Sequence, residues 1–180
     1  MSVGDVTIGV SIPVPAPYDE PLREWRHRSG DPRAQHVNPH ITLVPPTPIA
    51  EKQLDAVIAE LRDRCAGLAA FPLRLRGTGT FRPVSDVVFV AVADGISSCE
   101  VLADRLLVDE LRAPRTYPFH PHVTVAQDVP AEALDEVFAG LEDFRADFVV
   151  DEVWMHRQAD DGSWEPLTSF ALAEGNQVEA

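Results

Sequence analysis

Apolar and polar positions alternate along this chain in two rhythms, and the rhythms exchange in the same order twice. A period-two run marks a first strand from Val6 to Ile12, closed by Pro13, which has no amide hydrogen to extend a ladder. The arginine-rich stretch from Tyr18 to Arg28 reads as a helix, and a short strand follows from His40 to Val44. Thr47-Pro48 has the look of a helix N-cap with proline at the first helical position. Leu54, Val57, Ile58, Leu61 and Cys65 then recur at helical spacing up to about Ala66. Phe71 to Phe81 returns to period two, with Leu73 and Leu75 set against Arg74 and Arg76.

The second half repeats the series. Val87 to Val92 reads as a buried strand, and Ser97 with Glu100 forms a capping box for a helix through about Leu111. A strand from His122 to Val125 follows. Asp128 and Pro130 then open a helix carrying Leu134, Val137, Phe138 and Leu141. Two closing strands, Phe148 to Arg157 and Trp164 to Leu172, are joined by the turn signal Asp160-Asp161-Gly162-Ser163, and the tail from Glu174 is expected to fray. The repeat predicts one domain over residues 1–173 with lobes at roughly 6–81 and 86–172, followed by a tail at 174–180.

Within this frame one phrase occurs twice: Pro39-His40-Ile41-Thr42-Leu43 and Pro121-His122-Val123-Thr124-Val125. Alternate residues of a strand share a face, so each histidine points the same way as its threonine while the aliphatic residues pack behind. Symmetry between the lobes would bring the two histidines, 82 positions apart (122 − 40), together across a cleft. Imidazole titrates near neutrality, so one ring can take a proton from a nucleophile while the other gives one to a leaving oxygen. Threonine hydroxyls can donate to phosphate oxygens as charge builds on them.

Net charge changes the choice of substrate. At −14 the chain repels a long phosphate backbone, which excludes an extended nucleic-acid surface but not a nucleotide or one RNA end. No apolar run reaches the ~18 residues of a membrane helix. The first residues lack the pattern of a secretory signal, and Cys65 and Cys99 form no CxxC pair, so a cytoplasmic protein without disulfides is expected.

Paired His-x-Thr-x motifs in an α+β chain of this length resemble the 2H phosphoesterase superfamily. That group includes bacterial RNA 2′,3′-cyclic phosphodiesterases (also called 2′-5′ RNA ligases), plant-type cyclic nucleotide phosphodiesterases and the smaller YjcG-type proteins. The similarity spans about Thr7 to Leu172, and the phrase His40-Ile41-Thr42-Leu43-Val44-Pro45-Pro46 is closest in look to the YjcG-type branch. The resemblance implies two pseudo-symmetric lobes of antiparallel sheet with flanking helices around a central cleft. It also implies His40 and His122 as general base and acid in either order, Thr42 and Thr124 as phosphate-binding residues, and no metal or cofactor. Implied substrates are 2′,3′-cyclic phosphates, ADP-ribose cyclic phosphate or 2′-5′ linkages.

Neighbouring residues carry weaker readings. Phe81 stacks on a base or packs in the core; Arg82 meets phosphate or water. Tyr117 and His120 border the second motif, as substrate contacts or as packing. Arg33, His36 and Arg115 lie in loops leading to the motifs, and Trp154 and His156 alternate on a terminal strand that can border the cleft. Two rival functions stay open. One is a metallohydrolase using His36-x3-His40 and His120-x-His122; the other is a non-catalytic binder of nucleotides or RNA ends. A monomer is expected.

Overall fold

The computed structural model describes residues 4–112 and 117–174. Eight strands form one sheet: β1 (Asp5–Pro13), β2 (His40–Ala50), β3 (Phe71–Thr80), β4 (Val87–Asp94), β5 (His122–Gln127), β6 (Arg145–Val150), β7 (Glu152–Gln158) and β8 (Trp164–Ala171). Their order is β6-β3-β4-β5-β2-β1-β7-β8, with every neighbouring pair antiparallel. Helices α1 (Asp19–Arg28), α2 (Leu54–Ala66), α3 (Ile96–Leu106) and α4 (Ala131–Gly140) supply the rest of the α+β fold. Their inward residues, such as Leu22, Leu61, Leu102 and Leu134, join one buried cluster with the sheet residues Ile8, Ile41, Leu75, Val90 and Val123.

The sheet has two four-stranded halves that do not follow the halves of the sequence. One half runs β2-β1-β7-β8 and the other β6-β3-β4-β5, each strand paired with its neighbours in that order. The division at residues 81 and 86 therefore marks the repeat along the chain rather than the grouping of strands in space. The single strand expected over 148–157 is two strands, β6 and β7, with Asp151 alone between them. Consecutive Cα atoms are only about 3.8 Å apart, so the outermost strand of one half and the third strand of the other come together there. The sheet must curl for this to happen. Backbone bonds between Ala70 and Ala173 and between Ala173 and Leu68, both 2.7 Å, tie the same end.

Two helix starts differ from expectation. Thr47-Pro48 opens no helix: β2 runs on to Ala50, and the Thr47 hydroxyl donates to the Pro45 carbonyl at 2.8 Å. The prolines are tolerated because β2 keeps only one paired position with β5, Ile41 opposite Val123, and is an open edge on that side beyond it. At the other site Gly95, with φ of 92°, precedes α3, and no side chain caps the helix, so the Ser97–Glu100 box is not formed. That helix ends at Leu106, with a separate turn at Asp109–Leu111. No helix among the described residues is long and apolar enough to cross a membrane.

Candidate active site

The one bridge between the halves positions the paired motifs. Ile41 faces Val123 across β2 and β5, and both are fully buried. Antiparallel pairing carried one residue each way sets His40 across from Thr124 and Thr42 across from His122, on the face opposite the buried pair. Such partners have Cβ atoms about 5 Å apart. The same rows run outward through the sheet. Thr42 lies opposite Ser11, and Ser11 opposite Trp154; Thr124 lies opposite Phe89, and Phe89 opposite Gly79.

Both imidazoles are held in the same way. His40 Nδ1 lies 2.7 Å from the Asn38 carbonyl oxygen, and His122 Nδ1 lies 2.6 Å from that of His120. A carbonyl only accepts, so each Nδ1 carries the proton and donates it. Each Nε2 is then the unprotonated, accepting nitrogen, and that of His40 accepts from the Thr42 hydroxyl at 3.2 Å. Burial lowers the pKa of both rings. At His40 the positive charge of Arg26 and the nearby His156 and His122 add to it; at His122 the neighbouring His120 does. The carbonyl bonds oppose the shift without reversing it. Both rings are therefore biased toward the neutral form relative to an ordinary imidazole.

The walls of the two halves differ. On the β5 side the Phe81 ring packs 4.5 Å from Phe89 and edge-on to His122 and His120, at 5.0 and 5.5 Å between centroids. Phe89 packs at 5.2 Å from His122. Space for Phe89 exists because residue 79 is glycine: a Cβ there would stand 2.5 Å from the ring. On the β2 side lies an open cavity of about 400 Å³ beside His40 and Thr42, bordered by Gly9, Ser11, Trp154, His156 and Trp164.

Of the residues singled out in the sequence, His40, Thr42, His122 and Thr124 share one face, and Phe81 and His120 pack around His122. Arg82 is turned away into an ion pair with Asp135 at 2.7 Å, and Arg33 pairs with Asp128 at 2.7 Å. Tyr117 is 66% exposed and stands outside the aromatic cluster. His36 and His156 border the cavity. Arg115 and the tail beyond Glu174 lie outside the described residues. No group of three or more His, Cys, Asp or Glu among the described residues is arranged to hold a metal ion, so the histidine pairs proposed as ligands lack a third donor.

Sequence reasoning missed Ser11 and Phe89, which flank the motifs through strand register, and Gly9 and Trp164, which border the cavity. It also missed the buried ion pair of Arg26 with Asp31, at 2.8 Å, beneath the loop that leads to His40. The hydrophobic alternation of β1 and β4 located the strands, but pairing partners are not written in either strand alone.

A family model described as the 2′-5′ RNA ligase superfamily matches residues 13–162. The chain is 27% identical over 168 residues to a Halalkalibacterium halodurans protein named "Putative phosphoesterase BH1439", covering 92% of this chain and 97% of that one. Among solved structures, apo LigT of E. coli superposes with a TM-score of 0.67 at 20% identity, covering 96% of this chain and all of that one. TT0787 of Thermus thermophilus gives 0.61 at 24% identity, covering 93% and 98%. These structural likenesses establish the fold.

Proposed function

We propose, for a chain that belongs to the 2′-5′ RNA ligase superfamily, that His40 and His122 together hydrolyse a phosphoester of a nucleotide or RNA end, a 2′,3′-cyclic phosphate above all, without a metal ion. The observation that carries this reading is the Ile41–Val123 bridge. It puts two imidazoles with unprotonated Nε2 atoms and two hydroxyls on one face.

In the reaction, one Nε2 takes a proton from water as its oxygen bonds to phosphorus. The P–O bond to one ribose oxygen breaks, and the other ring, entering protonated, gives that oxygen its proton. Thr42 and Thr124 donate to the non-bridging oxygens, whose charge grows in the transition state. The two rings exchange protonation states over the turnover, and solvent resets them.

A small nucleotide as ligand is supported by structural neighbours described as E. coli LigT complexed with 3′-AMP, ATP and NADP+. The four motif residues lie on one chain, so the proposed reaction needs no residue from a second subunit. The test is hydrolysis of the four 2′,3′-cyclic nucleoside monophosphates in EDTA, wild type beside His40→Ala/His122→Ala. Turnover by wild type alone is expected. Equal turnover by the double variant overturns the assignment.

A further inference from the structure

The seam of the sheet is thin where the paired motifs meet. Between the half carrying His40 and the half carrying His122, β2 and β5 share only the Ile41–Val123 bridge. One rung fixes two strands at a point and constrains their angle weakly, so a second tie has to set one histidine against the other. Helix α1 supplies it. Trp25 lies on Gly140 of α4, so close that a Cβ at residue 140 would run into its ring. α4 packs behind β3, β4 and β5, the strands on the His122 side. The next residue of α1, Arg26, is buried and bonds to the loop that leads to His40.

Asp31 is the hub of that loop. Its carboxylate accepts from Arg26 Nε at 2.8 Å and from the Arg33 amide at 2.9 Å, which starts the short turn Pro32–Gln35. Its own amide donates to the Ser29 hydroxyl at 3.3 Å, and that hydroxyl donates to the Arg26 carbonyl at 2.7 Å. Ser29 and Asp31 are buried along with Arg26. The far end of the loop is pinned by the Val14 amide, which donates to the Pro39 carbonyl at 3.0 Å. Between the two pins lies Asn38, exposed at the cavity wall, whose carbonyl accepts the Nδ1 proton of His40. The matching carbonyl for His122 belongs to His120, whose ring packs on Phe81 and Phe89. For Asn38 the anchor is the base of the loop.

Stability does not account for the buried pair. Taking a guanidinium and a carboxylate out of water costs more than most ion pairs return, and apolar residues of similar size often serve a core as well or better. The Arg26 and Asp31 side chains are 5% and 0% exposed, so nearly all of that cost is incurred. What the pair adds is direction, since a planar guanidinium accepts a carboxylate along few approaches. Arg26 is also near enough to His40 for its charge to act on that ring.

We propose that Arg26 and Asp31 are positioning residues for His40: anchored on α1, their ion pair holds the loop so that the Asn38 carbonyl keeps the proton on Nδ1 and Nε2 meets the phosphate at a fixed place relative to His122. The loss of rate this predicts rests on the catalytic reading above; the hold on the ring rests on the buried pair alone.

The test is nitrogen NMR of histidine-labelled protein, which reads the tautomer of each imidazole at a pH where both rings are neutral. In wild type His40 and His122 should both carry the proton on Nδ1. In Arg26→Met/Asp31→Leu, with a thermal melt to show that it folds, His40 should become a mixture of both tautomers while His122 keeps its proton on Nδ1. The kcat of that variant on a 2′,3′-cyclic nucleotide should fall roughly 10- to 100-fold, as for a misplacement of about 1 Å, with KM changed less than about threefold. Arg26→Lys keeps a cation beside Asp31 without the planar fork and should lose about 3- to 10-fold.

A folded double variant with His40 still protonated on Nδ1 and full kcat would overturn the proposal. So would tautomers mixing equally at His40 and His122, the mark of a general loosening. If the double variant does not fold, Arg26→Lys with wild-type kcat and an unchanged His40 signal overturns it as well. Mixed tautomers at His40 alone, in a protein whose wild type turns over no cyclic nucleotide, leave the positioning standing and remove the catalytic reading.

Discussion

Gly79→Ala is the sharpest perturbation the fold offers, because it reaches His122, a proposed catalytic imidazole, through one intervening ring. Residue 79 has no positive φ, so alanine meets no backbone penalty. The cost is purely steric. The new methyl would stand 2.5 and 2.6 Å from two carbons of Phe89, against the 3.4–4 Å of ordinary contact, so the ring must retreat by about 1 Å. It cannot retreat freely, since Phe81 lies 4.5 Å and His122 5.2 Å away between centroids. Overpacking of this kind costs roughly 1–3 kcal/mol. In a chain of this size that lowers Tm by about 2–10 °C, a tolerable loss for a folded protein. A displacement of about 1 Å at a catalytic group costs on the order of 10²-fold in rate. The expected result is therefore a folded enzyme with kcat near one hundredth of wild type and KM little changed. Steady-state hydrolysis of a 2′,3′-cyclic nucleotide, beside a thermal melt, reads both quantities. Adding Phe89→Leu, which makes room for the methyl, should recover much of the rate. A Gly79→Ala enzyme with lowered Tm and unchanged kcat would refute the idea that the Phe81–Phe89 cluster positions His122.

Three further outcomes follow from the same geometry. Thr42→Val and Thr124→Val should each lose on the order of 10- to 10³-fold in kcat/KM, less than either histidine variant, because each removes a donor and no proton transfer; a loss equal to His40→Ala would contradict the assigned roles. The plot of kcat/KM against pH should be a bell whose descending limb sets in below about pH 6.5, since burial holds both free-enzyme rings under their ordinary value and the acid must be protonated. The limb for kcat should lie higher, because bound phosphate favours the imidazolium; a kcat/KM still rising at pH 8 would exclude the mechanism. Asp31→Asn should cost about 3–5 kcal/mol in a denaturant titration, since it leaves the buried Arg26 guanidinium without its carboxylate and weakens the acceptor for the Arg33 amide at 2.9 Å; a loss under about 1 kcal/mol would show that water reaches Arg26.

The strands carrying the paired motifs were legible because their signals are local. His40-x-Thr42 and His122-x-Thr124 state in three residues which side chains share a face, and the buried Ile41 and Val123 state which face is the back. Long-range choices left weaker marks. Thr47-Pro48 carries the same letters as a helix start, and only the loss of pairing between β2 and β5 makes an edge strand of it. The run from Phe148 to Arg157 has no glycine or proline to divide it, yet Asp151 sends its two parts to different halves of the sheet. Arg82 read equally as a phosphate partner or a solvated side chain. Its guanidinium is spent on Asp135, 53 residues away, a pairing no spacing rule could supply.

In the proposed mechanism the duplicated motif supplies the two proton-transfer groups, and the unequal walls supply a way to tell one end of a substrate from the other. A two-fold arrangement of His40, Thr42, His122 and Thr124 alone would accept a phosphodiester in either orientation, with the two rings interchangeable. Direction has to come from residues outside the repeat of the motif. The rows supply it with small residues: Gly79 admits Phe89 and closes one side, while Gly9 and Ser11 leave the other open under Trp164. A substrate that places its bulky group in the hollow presents its phosphate in one orientation only, so each histidine meets one particular oxygen. On the proposed mechanism, the exchange of two small positions across the cleft would thereby turn a symmetric pair of bases into one acid and one base.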